Sequence, residues 1–278
     1  IDSERDTWNM SPRLLEKAIK NRLALGKKPK AIVAVHLYGM PYKVDEIRTI
    51  ADKYKIPVVE DSAEALGSEY KGVRCGSFGD VGIFSFNGNK IITTSAGGAL
   101  TTKSAELKKK AIYFATQARE DTPHYQHSDV GYNYRMSNIL AGIGRGQMEV
   151  LENRIKARRS NFEFYKDRLE NNPNIEFLKE PKGFYSNRWL TCILTGSFEI
   201  REQIRLKLTE ENIECRPLWK PLHLQPVFGK YQSFIDGTSE DIYDRGLCLP
   251  SGSNLSENEL ARIVMIISSI TKKALKYA

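Results

Sequence analysis

The stretch "KAIVAVHLYGMPYKVDEIRTIADKYKIPVVEDSAEALG" (residues 30–67) decides the fold class. It opens with a short continuous apolar run that ends at Gly39, which predicts a buried strand. The following "KVDEIRTIADKYK" predicts a helix, because one face collects Val44, Ile47, Ile50, Ala51 and Tyr54. "IPVVEDSAEALG" then predicts a second strand that runs into a turn. Strand, helix and strand in this order predict an α/β fold with right-handed crossovers and a mostly parallel sheet.

The segments on either side extend this pattern into two predicted domains. Upstream, "MSPRLLEKAIKNRL" predicts a helix with Ser11 as its N-cap and Pro12 at its first position. From Ser137 onward, a long and interrupted helical stretch leads into short strands and further helices, and the last predicted helix spans 256–275. We therefore predict a large domain over 1–150 and a smaller C-terminal α+β domain over 151–278.

Composition excludes several classes of protein. The chain has 278 residues, a formal net charge of +8 and 41% hydrophobic residues, which suits a globular protein with a core. No apolar run approaches the length of a membrane span, and the polar N-terminus lacks the apolar region of a secretory signal. The basic residues form no recognisable nucleic-acid-binding module. We expect a cytoplasmic protein with no membrane or nucleic-acid partner.

Neither the cysteines nor the clustered glycines indicate a metal or dinucleotide site. Cys75, Cys192, Cys215 and Cys248 lie too far apart for zinc-ribbon or redox motifs. We expect free thiols in a reducing compartment and no metal site. The glycines of "GIGRGQ" (142–147) do not follow a strand, so we expect close helix packing there and no nicotinamide enzyme.

The stretch "FSFNGNKIITTSAGGAL" (84–100) contains an unusual lysine. Among the 22 residues between Asp80 and Lys103, Lys90 alone carries a charge, amid apolar, aromatic and small neighbours. A desolvated amine is a usable nucleophile toward an aldehyde, and a carboxylate at a strand end, here Asp61, requires a cation. Pyridoxal phosphate offers an aldehyde and a protonated ring nitrogen, and the Ser85 hydroxyl suits its phosphate. Each residue alone also has an ordinary structural explanation, as a loop edge or a strand cap.

Residues 59–102, "VEDSAEALGSEYKGVRCGSFGDVGIFSFNGNKIITTSAGGALTT", closely resemble the DegT/StrS-type sugar aminotransferases, which are fold-type-I pyridoxal-phosphate enzymes. The resemblance continues in the same order through "VHLYGMP" (35–41), "GYNYRMSNILAGIG" (131–144), "RPLWKPLH" (216–223) and "CLPSGSNLSENEL" (248–260). It covers nearly the whole chain. It implies the large domain of that fold type, with helices on both faces of the sheet, followed by a small C-terminal domain.

The resemblance implies cofactor roles for five residues. Asp61 would hold the pyridine nitrogen, Lys90 would join the cofactor aldehyde, and Ser85 would bind the phosphate. Glu64 stands where the family commonly has Gln beside the phenolic oxygen; ionised it would repel that oxygen, and protonated it could donate to it. Asn133 would reach the cofactor phosphate of a neighbouring subunit, which implies a homodimer with shared active sites.

The resemblance also implies residues near the substrate. Tyr38 and His223 match family positions near the sugar pocket, and Arg135 would serve either the substrate or the dimer interface. His36 is grouped with Lys90 and Asp61 as catalytic, with a satisfied histidine at a strand end as the alternative. The family normally has further chain before the segment that matches "IDSERDTWN", so we expect an N-terminal part of the family to be lacking here.

The implied reaction transfers an amino group from glutamate to a keto group of a nucleotide-linked 6-deoxy sugar, in the synthesis of surface glycans or glycoconjugates. "FNGNKIITTS" (86–95) is most similar to members that act at C4 of UDP-linked acetamido sugars. Two alternatives stay open. One is a lyase or desulfurase on the same fold, against which the "KPLH" and "CLPSGSNL" motifs speak. The other is a catalytically silent member with a binding or regulatory role.

Overall fold

A computed structural model describes residues 1–274 of the chain. Its helices are α1 Pro12–Ala24, α2 Val44–Tyr54, α3 Ala105–Ala115, α4 Asn138–Glu149, α5 Leu151–Leu169, α6 Phe198–Glu210, α7 Thr238–Arg245 and α8 Glu257–Ala274. Its strands are β1 Ile32–Val35, β2 Val58–Asp61, β3 Glu69–Tyr70, β4 Val73–Arg74, β5 Val81–Ser85, β6 Gly98–Thr101, β7 Ile175–Phe177, β8 Phe184–Tyr185, β9 Thr191–Thr195, β10 Arg216–Pro217 and β11 Gly246–Leu249. The last predicted helix extends to Leu275, which lies outside the described residues.

The first sheet has the strand order β1-β2-β5-β6 and carries the predicted strand ends. β1 pairs with β2 and β2 pairs with β5 in parallel, whereas β5 and β6 are antiparallel. Asp61 lies opposite Val35 on one side and opposite Ile83 on the other. The predicted α/β class with a mostly parallel sheet is therefore confirmed, and the carboxyl ends of three neighbouring strands share one edge.

Local sequence explains the helices that cover this sheet. Ser11 caps α1 as predicted, with its Oγ accepting a hydrogen bond from the Leu14 N–H, and Pro12 occupies the first turn. α2 buries Val44, Ile47 and Ala51 against the sheet. These apolar stripes and the strands form one core, made of Leu15, Ile19, Ile32, Ala34, Tyr42, Val44, Ile47, Ala51, Ile56, Val58 and Tyr70.

The first predicted strand is shorter than expected. Pairing stops at Val35, and the chain then forms a 3-10 turn over Leu37–Gly39 instead of continuing to Gly39. Tyr38 and Gly39 both have positive φ angles, 57° and 84°, which turn the backbone out of the sheet. The apolar run predicts a strand as far as Gly39. Its last residues are buried in a turn and do not pair with a neighbouring strand, so the predicted strand is too long.

The second sheet is antiparallel, with the order β10-β11-β9-β7. Helices α5, α6 and α8 pack on it around buried residues that include Phe162, Tyr165, Ile193, Ile204 and Ile263. The long helical stretch predicted from Ser137 is broken at Val150, between α4 and α5. This break coincides with the predicted boundary near residue 150, and the division into two domains stays a prediction.

Close helix packing at the α4 glycines is a wrong prediction. A Cβ built at Gly142 or Gly146 would meet nothing within 4 Å, and one at Gly144 would meet only Thr94 Cγ2 at 3.0 Å. Helix α4 buries no residue in the described part of the chain. The segment is helical as expected, but Gly142 and Gly146 face open space in the single chain, and Gly144 approaches only Thr94.

A third, small sheet pairs two strands that follow β2 with one strand that follows α5. Its order is β4-β3-β8, and β3 pairs with β8 so that Glu69 lies opposite Tyr185. A shared core, in which Trp8, Tyr38 and Met40 meet Leu178, Cys192 and Leu218, reinforces this connection. Residues 184–190 are thereby brought against the loop that follows β2.

The four cysteines are free, as predicted, and all four are buried. Cys192 and Cys248 face each other across β9 and β11, with their sulfur atoms 4.0 Å apart. No helix within residues 1–274 has the length and apolar character needed to cross a membrane.

Candidate active site

Asp61 is placed at the sheet edge by the pairing of β2 with both of its neighbours. Its Oδ1 accepts a hydrogen bond from the Ala63 N–H at 3.0 Å, which fixes the turn that leaves the strand. Its other carboxylate oxygen has no hydrogen-bond partner among residues 1–274. A half-buried carboxylate with one open oxygen can accept a charged N–H from a ligand beyond the strand ends.

Lys90 lies in the loop between β5 and β6. The loop is closed by hydrogen bonds from Phe86 N–H to the Gly97 carbonyl and from Thr94 N–H to the Phe86 carbonyl, both at 3.0 Å. The buried Ile91 and Ile92 anchor it from below. The Lys90 side chain is 14% exposed. The small residues 95–99, whose composition is typical of buried segments, are exposed.

Glu64 is the charged group that faces Lys90. Its Oε1 lies 3.9 Å from Lys90 Nζ, and its Oε2 accepts the Tyr38 N–H at 2.6 Å. Burial raises the pKa of the Glu64 carboxyl, with Asp61 adding to the rise, while the Tyr38 N–H and Lys90 oppose it. The carboxyl can therefore hold or release a proton within reach of the lysine.

Ser85 ends β5 at the same edge, two residues beyond the partner of Asp61. Its Oγ accepts a long hydrogen bond from the Asn87 N–H at 3.4 Å, and the side chain is half-buried. The hydroxyl hydrogen can therefore point to an acceptor outside the loop. Four predicted cofactor residues, Asp61, Glu64, Ser85 and Lys90, are thus grouped at one edge of the sheet.

His36 lies in the interior of the protein. It is fully buried, its Nε2 lies 2.8 Å from Glu60 Oε1, and its Nδ1 accepts the Tyr42 N–H at 3.1 Å. Both ring nitrogens are thus engaged, and the ring stacks on Tyr42 with centroids 4.4 Å apart. This geometry favours the structural alternative for His36, a satisfied histidine at a strand end.

Glu60, the partner of His36, is fully buried on β2. Burial opposes its charge, but hydrogen bonds from His36 and from the Gly76 and Gly79 N–H groups outweigh that cost and lower the pKa of the carboxyl. A buried carboxylate thus fastens the loop that precedes β5 to the strand that ends at Asp61.

Tyr38 is also buried, at 2% exposure. Its hydroxyl oxygen accepts the Trp219 N–H at 2.8 Å, and the two rings lie 5.5 Å apart. Burial raises the pKa of the Tyr38 phenol well above its usual value, so it stays protonated. In this structure Tyr38 supports the "RPLWKPLH" segment, and a direct contact with substrate stays a prediction.

The remaining predicted residues form no side-chain hydrogen bond with this group within the described residues. His223 lies in a 3-10 turn, with Nε2 2.9 Å from Glu240 Oε1. Asn133 and Arg135 are exposed in the segment before α4. Within the described part of one chain, none of the three forms a hydrogen bond or ion pair with Lys90.

Two residues of the site were missed by sequence reasoning. Asn187 is fully buried and donates from Nδ2 to the carbonyls of Glu64 and Leu66, at 2.9 and 3.0 Å. Trp189 lies under Lys90, with Nζ 4.4 Å from its ring centroid. The motif "SNRWL" has no charge pattern or spacing that relates it to Lys90 about a hundred residues earlier, so no local signal could have found it.

The groups at this edge fit pyridoxal phosphate. A carboxylate with an open oxygen and a hydroxyl lie at the ends of adjacent strands, and an amine lies in the loop that follows the second strand; they match a pyridinium N–H, a phosphate and an aldehyde. Asp61, Ser85 and Lys90 would hold the cofactor there, with Glu64 beside it. The set contains both charged partners that the cofactor needs.

Comparison with known proteins agrees with this chemistry. The model of the DegT/DnrJ/EryC1/StrS aminotransferase family matches residues 1–268. EpsN of Bacillus subtilis (strain 168), by name a candidate pyridoxal phosphate-dependent aminotransferase, is 51% identical over 96% of this chain and 70% of the relative. GDP-perosamine synthase of Escherichia coli O157:H7 is 38% identical over 98% of this chain and 71% of the relative.

A solved structure shows the same fold. The crystal structure of a DegT DnrJ EryC1 StrS aminotransferase from Brucella abortus matches with a TM-score of 0.90 at 29% identity, over 98% of this chain and 72% of that one. The predicted family, fold type and cofactor are confirmed by these matches. The chain therefore belongs to the DegT/DnrJ/EryC1/StrS aminotransferase family, whose members are sugar aminotransferases that use pyridoxal phosphate.

Proposed function

We propose that this sugar aminotransferase takes its amino group from glutamate and delivers it to C4 of a UDP-linked acetamido-keto-hexose, for the synthesis of surface glycans or glycoconjugates. The observation that carries the chemistry is the position of Lys90, 3.9 Å from Glu64 at the sheet edge that Asp61 also occupies. The C4 position and the UDP carrier rest on the "FNGNKIITTS" motif (86–95). The free thiols fit a cytoplasmic location.

Each residue at the sheet edge has a separate task. Pyridoxal phosphate, when bound, supplies an aldehyde and an electron-accepting ring. Asp61 holds the proton of the ring nitrogen, and the Ser85 hydroxyl donates to the phosphate. Lys90 Nζ takes the proton from the α-carbon of the amino donor, and it later returns a proton to the sugar carbon that receives the nitrogen. Glu64 stabilises Lys90 Nζ while it carries a proton during each of these transfers.

The substrate side uses residues outside this group. We assign His223 and Arg135 to the nucleotide sugar, and Asn133 to the cofactor phosphate of a partner subunit in a homodimer. The exposure of Asn133 and Arg135 in the single chain fits a contact made between subunits. The name GDP-perosamine synthase supports a nucleotide-linked sugar as the class of acceptor.

Trapping of the cofactor tests the assignment of Lys90. The purified protein is incubated with pyridoxal phosphate, reduced with borohydride, digested and mapped by mass spectrometry. We expect the label on the peptide that contains Lys90, and none on that peptide in Lys90→Ala. Lys103→Ala, the next lysine along the chain, serves as the matched control and retains the label on Lys90. A label confined to other lysines contradicts the assignment.

The donor and acceptor are tested on the loaded protein. Glutamate should convert the visible spectrum of the cofactor, while alanine at the same concentration should not. The aminated protein is then offered the 4-keto and 3-keto acetamido sugars linked to UDP, and the product is identified by NMR. Preference for a GDP-linked sugar, or nitrogen at C3, would overturn the substrate assignment and leave the aminotransferase itself intact.

A further inference from the structure

The Lys90 ammonium lies on the face of a buried indole. Lys90 Nζ is 4.4 Å from the centroid of the Trp189 ring, and Trp189 is 3% exposed. A cation at this distance from an indole is attracted by the negative face of the ring, most strongly where water is excluded. Trp189 and Glu64 together therefore hold the amine between a π face and a carboxyl group.

Trp189 is held by three hydrogen bonds, two on its backbone and one on its ring. The Trp189 N–H donates to Asn187 Oδ1 at 2.8 Å, and its carbonyl accepts a hydrogen bond from Arg158 Nη1. The ring Nε1–H donates to the carbonyl of Asn89 at 2.9 Å. Because Asn89 precedes Lys90 in the chain, this last bond ties the indole to the backbone from which the lysine side chain extends. The ring cannot rotate away from Lys90 without breaking the Nε1–H bond to Asn89.

We propose that Trp189 is a positioning residue for Lys90. Its ring face favours a positively charged nitrogen at Lys90 Nζ, and its Nε1–H fixes the backbone beside that lysine. The inference rests on the proposed function, in which Lys90 is the lysine that joins the cofactor. It adds a residue from the segment after β8 to a site otherwise built from the ends of β2 and β5.

The test is a pH titration of the visible absorbance of the loaded protein. The charged groups that face the nitrogen are Glu64 and, beyond it, Asp61; Arg158 binds the Trp189 carbonyl. These stay unchanged in Trp189→Phe and Trp189→Leu. Loss of the ring face disfavours the protonated nitrogen, so we expect the midpoint in Trp189→Leu to fall by about one pH unit. Phenylalanine keeps a weaker face, and its midpoint should fall by less.

Trp8→Leu and Trp8→Phe are the matched controls, because Trp8 is also 3% exposed but packs on Tyr38. Their midpoints should equal that of the wild type. A graded fall confined to the Trp189 variants supports the inference. Equal midpoints in all proteins, or an equal fall in the Trp8 variants, overturn it. Should Trp189→Leu fail to fold, the fall in Trp189→Phe decides alone.

Kinetics of the same variants supply a second readout. A displaced Lys90 amine slows proton transfer but does not weaken binding of the nucleotide sugar. We therefore expect kcat to fall while KM for the nucleotide sugar stays constant. A rise in KM with constant kcat would contradict a positioning role. If the wild type itself shows no borohydride label on Lys90, the proposed function fails first. A labelled wild type with unshifted Trp189 variants removes only this inference.

Discussion

At the scale of single residues, Glu64 distinguishes this site. Its carboxyl lies between the Lys90 amine and the Tyr38 N–H, and burial raises its pKa. An amide at this position could keep the hydrogen bond from Tyr38 but could not lose a proton. Glu64 therefore makes the state of the site depend on pH in a way that an amide would not.

The free energy of unfolding of the wild type should fall as pH rises past the usual glutamate pKa, and Glu64→Gln should remove that fall. Because the pKa is raised in the folded protein, the folded state holds the proton over a range in which the unfolded chain has released it. Wild-type stability therefore falls, relative to the variant, as pH rises from the usual glutamate pKa through the raised one. We expect this difference to develop across that pH range, measured by urea denaturation of the cofactor-free protein at a series of pH values.

Glu106→Gln is the control, since Glu106 is exposed on α3. Its stability should run parallel to the wild type across the same pH range. In the loaded protein, Glu64→Gln should keep the visible band of the bound cofactor and shift its pH dependence. An unchanged titration together with parallel stability curves would show that Glu64 does not titrate beside Lys90.

At the scale of elements, the turn after β1 and the segment after β8 hold each other. Gly39 has a φ of 84°, and a Cβ there would overlap the amide oxygen of Asn187. Asn187 in turn binds the carbonyls of Glu64 and Leu66. The close approach of glycine to asparagine therefore keeps the loop after β2 in place beneath the site.

Gly39→Ala should destabilise the protein by about 3 kcal/mol or more, because strain at positive φ is added to the overlap with Asn187. Gly72→Ala provides the matched control. Gly72 also has a positive φ, 76°, but a Cβ there would meet nothing within 4 Å, so only the strain of about 1 kcal/mol is expected. Urea denaturation measures both. Equal losses would show that the contact with Asn187 does not constrain the turn.

At the scale of the whole molecule, one predicted cofactor residue, Asn133, forms no side-chain hydrogen bond with the others within residues 1–274 of a single chain. Asp61, Glu64, Ser85 and Lys90 share an edge, whereas Asn133 is exposed. In the homodimer that we propose, Asn133 of one subunit completes the site around Lys90 of the other. Two subunits related by a twofold axis would then form two identical shared sites.

Mixing inactive variants tests this arrangement. Lys90→Ala and Asn133→Ala should each abolish or strongly reduce amino transfer. After the two are unfolded together and refolded, a mixed dimer contains one site with both native residues. Because about half of the dimers are mixed and each has one good site of two, about a quarter of the wild-type activity should return. Mixing without refolding is the control, and no recovery after refolding would place Asn133 outside the shared site.

How much of the protein is predictable from its sequence follows from the range of the interactions involved. The helices, the parallel strands and the positions of Asp61 and Ser85 at strand ends were predicted, because periodicity and chain reversal are local properties. The end of β1 was misplaced, since burial by a turn and burial by a strand give the same apolar run. The α4 glycines were misjudged because sequence does not say which helix faces have neighbours.

The sequence by itself determined the fold class, the family and the candidate cofactor lysine, Lys90. Only the tertiary structure decided that His36 is held in the core by Glu60, that Tyr38 supports Trp219, and that Asn187 and Trp189 belong to the site. The physical reason is that these contacts join residues far apart in the chain. The contact of His36 with Glu60 depends on the pairing of β1 with β2, and the place of Asn187 and Trp189 follows the pairing of β3 with β8. No spacing within one segment records these pairings.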